Sequence, residues 1–274
     1  MDRSITTAFA VAVFLLPGWA SAYHDKKHRL IDYTAHALNG GELRLGLFEQ
    51  NLGIHRYVQI GTETLPWVAG VFLREVAPNA NVKLGLLRSG VLDLSLRGAF
   101  YYANVAAENA RGSGGGNLWI VPVSLYTSTR LLPWLSVHTE VTYAWLSAGA
   151  KVDVDSLSVR GTGLSSSLQL GVMLEARVNE VLAVTLRGRM QPYLAPTVVR
   201  SRSSESDSLQ LDLDARLSTS LAYHPMAAIA GLALSWKHVN LQFAMGFGHY
   251  FVPSLGIPIP VATIVPDGSF FFRF

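Results

Sequence analysis

Apolar and polar residues alternate with period two along much of the chain. In Leu92–Arg97 every second residue is leucine, and in Leu209–Leu217 the alternation continues for nine residues. Leu168–Arg177 and Leu182–Arg189 follow the same pattern. Because successive side chains of a strand point to opposite faces, this pattern predicts β-strands with one apolar and one polar face.

The length of these segments favours strands that cross a membrane. Several alternating segments contain ten or more residues, whereas ordinary strands average about five or six. A membrane-crossing strand needs about 9–11 residues, with apolar side chains facing lipid and polar side chains facing the lumen. The fold class we predict is all-β: an antiparallel transmembrane β-barrel of about twelve strands, with about ten or fourteen as alternatives. A soluble secreted β-protein, with its leucines in a dry core, is the competing interpretation.

The segments between the predicted strands are alternately short and long. Arg88–Gly90 and Val178–Glu180 are short, as periplasmic turns of outer-membrane barrels are. The long ones are expected to be outer loops, and they are Ala103–Asn117, Ser147–Gly163 and Pro192–Asp207.

Three further segments do not follow the alternating pattern. Val252–Pro266 contains several prolines and is expected to be another outer loop, because proline cannot donate to a strand ladder. Leu30–Leu38 is either a strand or part of a periplasmic leader. Thr64–Ala80 is either a loop or a short helix.

Composition supports a membrane location. Half the residues are hydrophobic and 15% are charged, against about 25% charged in soluble domains. After residue 22 no apolar run reaches the length of about 18 residues that a transmembrane helix needs. Backbone groups in lipid must be paired internally, so a closed barrel is the alternative to helices.

Charge and cysteine content exclude several functions. The net charge of +3 comes without any basic run, so nucleic-acid binding is not expected. The chain has no cysteine, which excludes disulfides, thiolate metal sites and cysteine nucleophiles.

The N-terminus has the features of a signal peptide. Arg3 precedes the apolar stretch Ala8–Leu16, and Ala20-Ser21-Ala22 fits a cleavage site with small residues. We therefore assign residues 1–22 to a signal peptide and residues 23–274 to one barrel domain. The alternative is an uncleaved N-terminal anchor.

The C-terminus places three aromatic residues on one strand face. Phe270, Phe272 and Phe274 alternate with other residues, and Phe274 ends the chain. This resembles the closing strand of bacterial outer-membrane β-barrel proteins. The resemblance implies location in the outer membrane, contact with its lipid, and recognition of these three residues by the barrel-assembly machinery.

Charged residues alternate with the apolar face and are expected to line the lumen. They are Arg44, Asp93, Arg97, His138, Glu140, Glu175, Arg177, Arg187, Arg189, Asp212, Asp214 and Arg216. In one interpretation they pair across the barrel and fill it. In the other they line a narrow aqueous pore and select the solutes that pass.

Three functional hypotheses follow from this face. The first is a small passive pore or transport-type channel without a cofactor. The second is a plugged barrel that acts as a structural or surface-interaction protein. The third is a lipid-modifying enzyme, in which His138 and Glu140 would act with Ser124 or Ser136. The sequence does not determine the oligomeric state.

Overall fold

The computed structural model describes residues 29–73, 77–109, 112–154, 157–195, 197–205, 209–217, 225–236, 238–251 and 258–274. The signal peptide assigned to residues 1–22 lies outside the described residues. The one helix of the described ranges is α1 (Thr64–Leu73). The strands are β1 (Leu43–Gly46), β2 (Glu49–His55), β3 (Val58–Glu63), β4 (Asn79–Arg88), β5 (Leu92–Asn109), β6 (Gly112–Leu132), β7 (Leu135–Val154), β8 (Leu157–Arg177), β9 (Leu182–Leu194), β10 (Thr197–Glu205), β11 (Leu209–Leu217), β12 (Met226–Ser235), β13 (Val239–Phe251) and β14 (Pro258–Arg273).

Twelve of these strands form a closed antiparallel ring. β1 to β9 pair in sequence order, β9 pairs with β12, and β12 to β14 continue in order. β14 returns to β1, with Leu45 opposite Phe272. The predicted barrel of about twelve strands is therefore confirmed, and closure leaves no free edge at the periplasmic end.

β10 and β11 form a hairpin outside this ring. β10 pairs with the N-terminal part of β8, from Ser158 to Leu164. β9 pairs with the C-terminal part of β8, from Ser167 to Arg177. The described strand partner of β11 is β10. The alternation in Leu209–Leu217 predicts a barrel strand, but this segment forms β11, which lies outside the ring.

The barrel is polar inside and apolar outside, as β7 shows. Ser136, His138 and Thr142 are buried at 5%, 1% and 4% exposure, whereas Tyr143 and Trp145 are 49% and 56% exposed. A soluble protein would have the opposite distribution. The face that carries large apolar side chains is therefore the face that contacts lipid.

The three expected outer loops are largely strands. β5 and β6 stay paired out to Asn109 opposite Gly112, and β7 and β8 out to Val154 opposite Leu157. Their place between the alternating segments predicted loops, but the ladder continues because each strand has a long partner beside it. The hairpins project well beyond the length that a bilayer requires.

The expected loop Val252–Pro266 is also partly a strand, because β14 begins at Pro258. Proline is tolerated on a strand edge that has no partner. β14 pairs with β1 from Gly46 opposite Phe271 down to its C-terminal end, so its outer part has such an edge on the β1 side.

The barrel wall is low at its N-terminal strands. β1 has four residues and β3 has six, against about 9–11 for a membrane-crossing strand. α1 follows β3 directly and continues the wall with exposed Leu65, Trp67 and Val68. The segment Thr64–Ala80 is thus a helix in its first part. Within the described ranges, no helix is both long and apolar enough to cross a membrane.

Residues 29–42 lie inside the barrel near its periplasmic end, and we call them the plug. Leu30 packs against Met173, Ala183 and Ala233 of the wall. Ile31 and Leu38 pack against Phe271 of β14. Leu30–Leu38 is therefore not a barrel strand, and it packs against the inside of the barrel instead of forming a separate periplasmic leader.

Candidate functional site in the barrel lumen

A cavity of about 550 Å³ lies in the lumen beside the plug. Five basic and five acidic side chains border it, and they are Arg44, Lys83, Arg97, Arg187, Arg189, Asp32, Glu49, Glu63, Glu140 and Asp267. Their formal charges cancel. The plug contributes Ile31, Asp32 and Tyr33 to the cavity lining, so any change in the plug alters the cavity.

Lys83 of β4 binds the backbone of the plug. Its Nζ donates to the carbonyl oxygens of Thr34 at 2.7 Å and His36 at 2.6 Å, with Ile31 at 3.4 Å. Lys83 is 4% exposed. A buried ammonium needs such acceptors, so the plug satisfies Lys83 and Lys83 holds the plug.

Asp32 joins the plug to β1 and β14, the two strands whose pairing closes the barrel. Arg44 of β1 donates to its two carboxylate oxygens at 2.6 and 2.9 Å, and Ser269 of β14 donates at 2.9 Å. Burial favours the neutral acid, but the Arg44 guanidinium outweighs it and keeps the pKa of Asp32 below its ordinary value. Asp32 is thus an anion at neutral pH.

His36 of the plug is bound by Asp93 of β5. Its Nδ1 lies 3.0 Å from Oδ2 of Asp93. Burial is the main cause that lowers the pKa of His36 to about 4, and His138 and Arg29 act in the same direction. The ring is therefore neutral at pH 7, and Nδ1 carries its proton because a carboxylate only accepts.

Tyr33 adopts a strained backbone conformation under two arginines. Its φ of 61° lies in the left-handed region, which is uncommon for residues other than glycine. The Arg187 guanidinium lies 3.9 Å from the centre of the Tyr33 ring, and that of Arg189 lies at 5.0 Å. Cation–π contacts of this kind offset the strain.

Acidic residues of β2 and β3 pair with arginines across the cavity. Arg97 donates to Glu49 at 2.8 Å and to Glu63 at 3.0 Å. Glu49 also accepts from Arg44 at 3.1 Å, and Tyr101 donates to Glu63. These pairs link the low part of the wall to β5.

Two further charge pairs involve arginines of β9. Arg189 donates to Glu140 at 2.9 Å, and Thr142 donates to the same carboxylate at 2.9 Å. Arg187 pairs with Asp267 of β14. None of the described residues gives Arg187 Nε or Gln242 Nε2 a hydrogen-bond partner, although both atoms are buried.

Among the residues suggested for catalysis, His138 has partners other than Glu140 and Ser124. His138 binds Ser128 through Nδ1 at 2.7 Å and Glu175 through Nε2 at 3.0 Å. Glu140 belongs to the Arg189 pair, and Ser124 lies 2.7 Å from Thr142.

The Ser128–His138–Glu175 chain has the residue types of a hydrolase site. However, the plug N–H of Ala35 donates to Ser128 Oγ at 2.8 Å, and all three side chains are at most 4% exposed. Arg177 Nε donates to Glu175 at 2.6 Å. This cluster therefore ties the plug to the wall, and a substrate cannot reach it in this conformation.

The structure thus places nine of the twelve residues expected in the lumen in one connected polar interior, and these nine are Arg44, Asp93, Arg97, His138, Glu140, Glu175, Arg177, Arg187 and Arg189. Asp212, Asp214 and Arg216 lie on β11, outside the ring, and their side chains are outside the described part of the structure.

Several residues of the site escaped the sequence analysis. Asp32, Tyr33 and His36 lie in a segment without strand periodicity, and Asp267 directly follows the expected loop Val252–Pro266. Lys83 had a signal, because it stands between Val82 and Leu84 in an alternating segment.

The phenylalanines at the C-terminus point outward as a group. Phe272 and Phe274 are 39% and 60% exposed, and the rings of Phe270 and Phe272 are 5.1 Å apart. Phe271, between them, is buried in the lumen with the Arg44 guanidinium 4.1 Å from its ring centre.

Comparison with known proteins found similarity in solved structures alone. No protein-family model matches the chain, and no curated protein matches it. The translocator domain of the autotransporter NalP from Neisseria meningitidis aligns with a TM-score of 0.39 and 8% identity, over 85% of this chain and 83% of that one.

Two CdiB proteins in the same comparison are less similar. CdiB from Acinetobacter baumannii has a TM-score of 0.28 and 11% identity, over 87% of this chain and 61% of that chain. CdiB from Escherichia coli has a TM-score of 0.28 and 10% identity, over 85% and 62%. This chain thus spans less than two thirds of either CdiB protein, and similarity at this level assigns no function.

The class follows from the barrel itself. A closed ring of twelve antiparallel strands, apolar outside and polar inside, is the architecture of outer-membrane β-barrels. Within that class this chain has a lumen occupied by its own residues 29–42.

Proposed function

We propose that this protein is an outer-membrane barrel of transport type whose lumen is gated by the plug. The observation that carries the proposal is the set of three plug carbonyls around Lys83 Nζ. Residues 29–38 of the plug are held by side chains of the wall and not by ladder hydrogen bonds, so this part of the plug can leave without dismantling the wall. A passive pore that is permanently open does not fit residues 29–42 lying across its periplasmic end.

The second hypothesis, a permanently plugged barrel with a structural or surface role, makes the opposite prediction. The apolar contacts of Leu30, Ile31 and Leu38 favour it. The long hairpins β5–β6 and β7–β8 would then be its contact surface. Conductance separates the two hypotheses, because a gate opens and a permanent plug does not.

The test uses Lys83→Met, which removes the ammonium and keeps a side chain of similar length. Hydrogen bonds to charged groups contribute about 1.5–3 kcal/mol each, and about 1.4 kcal/mol corresponds to a factor of ten in an equilibrium. We expect single-channel openings in planar bilayers to become at least about tenfold more frequent than in the unaltered protein.

Lys151→Met is the control, since Lys151 is exposed on the outer part of β7. It should leave the opening frequency unchanged. If Lys83→Met is as silent as Lys151→Met, the gate is refuted and the permanent plug is favoured. Continuous large openings in the unaltered protein would refute both.

A further inference from the structure

The barrel wall has a lateral opening on the outer side of β1 and β2. β1 ends at Gly46, and the chain turns at Leu47 and Phe48 into β2. β14 continues beside this turn for thirteen more residues, from Phe270 up to Pro258. We define the lateral opening by its apolar rim, which is Leu47, Phe48, Leu65 and Phe270.

The edge of β14 at this opening is not built to receive another strand. Phe274 exchanges two backbone hydrogen bonds of 3.0 Å with Leu43, and Leu47 donates to Phe270 at 3.1 Å. Even-numbered residues of this part of β14 thus direct their backbone groups toward β1. Gly268 and Pro266 are the next two on that side, and Pro266 has no N–H to offer.

The polar cavity is continuous with this opening. The same cavity is bordered by the charged lumen residues, by the rim, and by the outward-facing Leu241 and Phe243 of β13. It therefore runs from a charged interior to the lipid-facing surface. A molecule that fits it has a polar end and an apolar end.

The cavity also has unused hydrogen-bond donors. Gln242 Nε2 and Arg187 Nε are buried without partners among the described residues, and both side chains border the cavity. Arg187 is 7% exposed. Leaving such donors unpaired is unfavourable, so an acceptor such as a phosphate oxygen would complete the site.

The charges of the cavity indicate the kind of polar end. Because five basic and five acidic residues border it, a head group with no net charge disturbs the balance least. We infer that the lateral opening admits a zwitterionic glycerophospholipid from the bilayer. Its phosphate is bound by Gln242 and Arg187, and its acyl chains pass over the rim into the membrane.

This inference rests on the proposed transport role and names the class of solute. The test is native mass spectrometry of the full-length protein in a non-ionic detergent with added palmitoyl-oleoyl phosphatidylethanolamine. The expected result is one phospholipid retained per barrel. Diacylglycerol with the same chains should be retained at least about tenfold less, because it lacks the phosphate.

Gln242→Leu tests the head-group contact, and Gln191→Leu is its matched control. Gln191 is buried, its amide has no hydrogen-bond partner among the described residues, and it is not among the residues that border the cavity. We expect Gln242→Leu to reduce phospholipid retention at least about tenfold and Gln191→Leu to leave it unchanged. Equal retention by both variants would overturn the proposal.

Leu65→Trp tests the opening independently, with Leu186→Trp as its control, since both leucines are 53% exposed. A tryptophan at the rim should reduce retention, whereas one on the far wall should not. No phospholipid retention by the unaltered protein, or equal retention of diacylglycerol, would overturn the lipid site. The conductance of Lys83→Met would still decide the gate separately.

Discussion

At the residue scale, the lumen charges are distinguished by their partners. Alternation in the sequence predicts that Arg44 and Arg97 face inward, but it does not predict what they bind. Arg44 binds Asp32, which lies in the aperiodic plug, and Arg97 binds acidic residues of two other strands. Such partners depend on register and on the path of the plug, which local patterns do not encode.

Each buried charged side chain of the lumen depends on partners that are buried with it. Glu175 and His138 both have side chains with 0% exposure, and Glu175 also pairs with Arg177. Removing one member of such a cluster leaves an uncompensated buried charge, which costs about 3–5 kcal/mol. These charged side chains of the interior therefore depend on one another for their stability.

The first prediction concerns pH and His36. The pKa of His36 is about 4 with the plug docked, against about 6.5 for an unperturbed histidine. Between these values the undocked plug takes up a proton that the docked plug does not. The contribution of the neutral His36 to docking is thus complete above pH 6.5 and is lost as the pH falls toward 4.

We therefore expect channel openings to become more frequent by up to about tenfold per pH unit between pH 6.5 and 4. Recording single-channel activity over this range measures the effect. The groups that face His36 are Asp93, Arg29 and His138. His36→Gln keeps a donor for Asp93 and removes the titration, so its slope should be nearly flat. An equal slope in both proteins would refute this origin.

At the element scale, the sequence predicted the inner parts of the strands better than their outer parts. The periplasmic turns after β4 and β8 lie at Arg88–Gly90 and Val178–Glu180 as expected. The outer hairpins were expected to be loops because they lie between the alternating segments that predict the strands. Pairing with a long neighbour decided these segments, and neighbour length is not a local property.

The proline-rich segment before the C-terminus shows the same limit. Prolines there predicted a loop, yet β14 begins at Pro258. The prediction assumed a partner on both sides of the strand. Because β1 is only four residues long, β14 has an open edge at Pro266 that tolerates a missing donor.

The second prediction concerns the C-terminal strand. Phe270, Phe272 and Phe274 form an outward aromatic face, and the resemblance to outer-membrane barrels makes it the expected assembly signal. We expect Phe274→Ala to reduce the heat-modifiable, folded fraction in outer-membrane preparations at least about twofold, by slowing insertion rather than by loss of burial.

Phe247→Ala is the control, because Phe247 of β13 is also an outward aromatic residue, at 67% exposure. Both variants lose one lipid-facing ring, but only one alters the C-terminus. A similar loss of folded protein in both would contradict a specific role for Phe274. The measurement is gel mobility with and without heating, at matched expression.

At the scale of the whole molecule, the closed ring could be predicted and the occupied lumen could not. Period-two alternation, low charge and the terminal phenylalanine together indicated a barrel of about twelve strands. The plug has no periodicity, because it docks through individual contacts to many strands. The short length of β1 and β2 could not be predicted, because short alternating segments also occur in ordinary strands.

These two features give the molecule its proposed behaviour. The plug closes the periplasmic end through Lys83 and Asp32, while the lateral opening leaves the cavity facing the bilayer. A solute would enter from the side and leave when the plug undocks. This route differs from that of an aqueous pore, which is open at both ends.

The most direct test of the account is to measure which side chains of β7 face lipid. The chain has no cysteine, so spin labels can be placed singly at positions 141 to 145 in the protein reconstituted in bilayers. Collision rates with oxygen, which concentrates in lipid, should be high at Val141, Tyr143 and Trp145 and low at Thr142 and Ala144. Low rates at all five positions, or an inverted pattern, would contradict the membrane barrel.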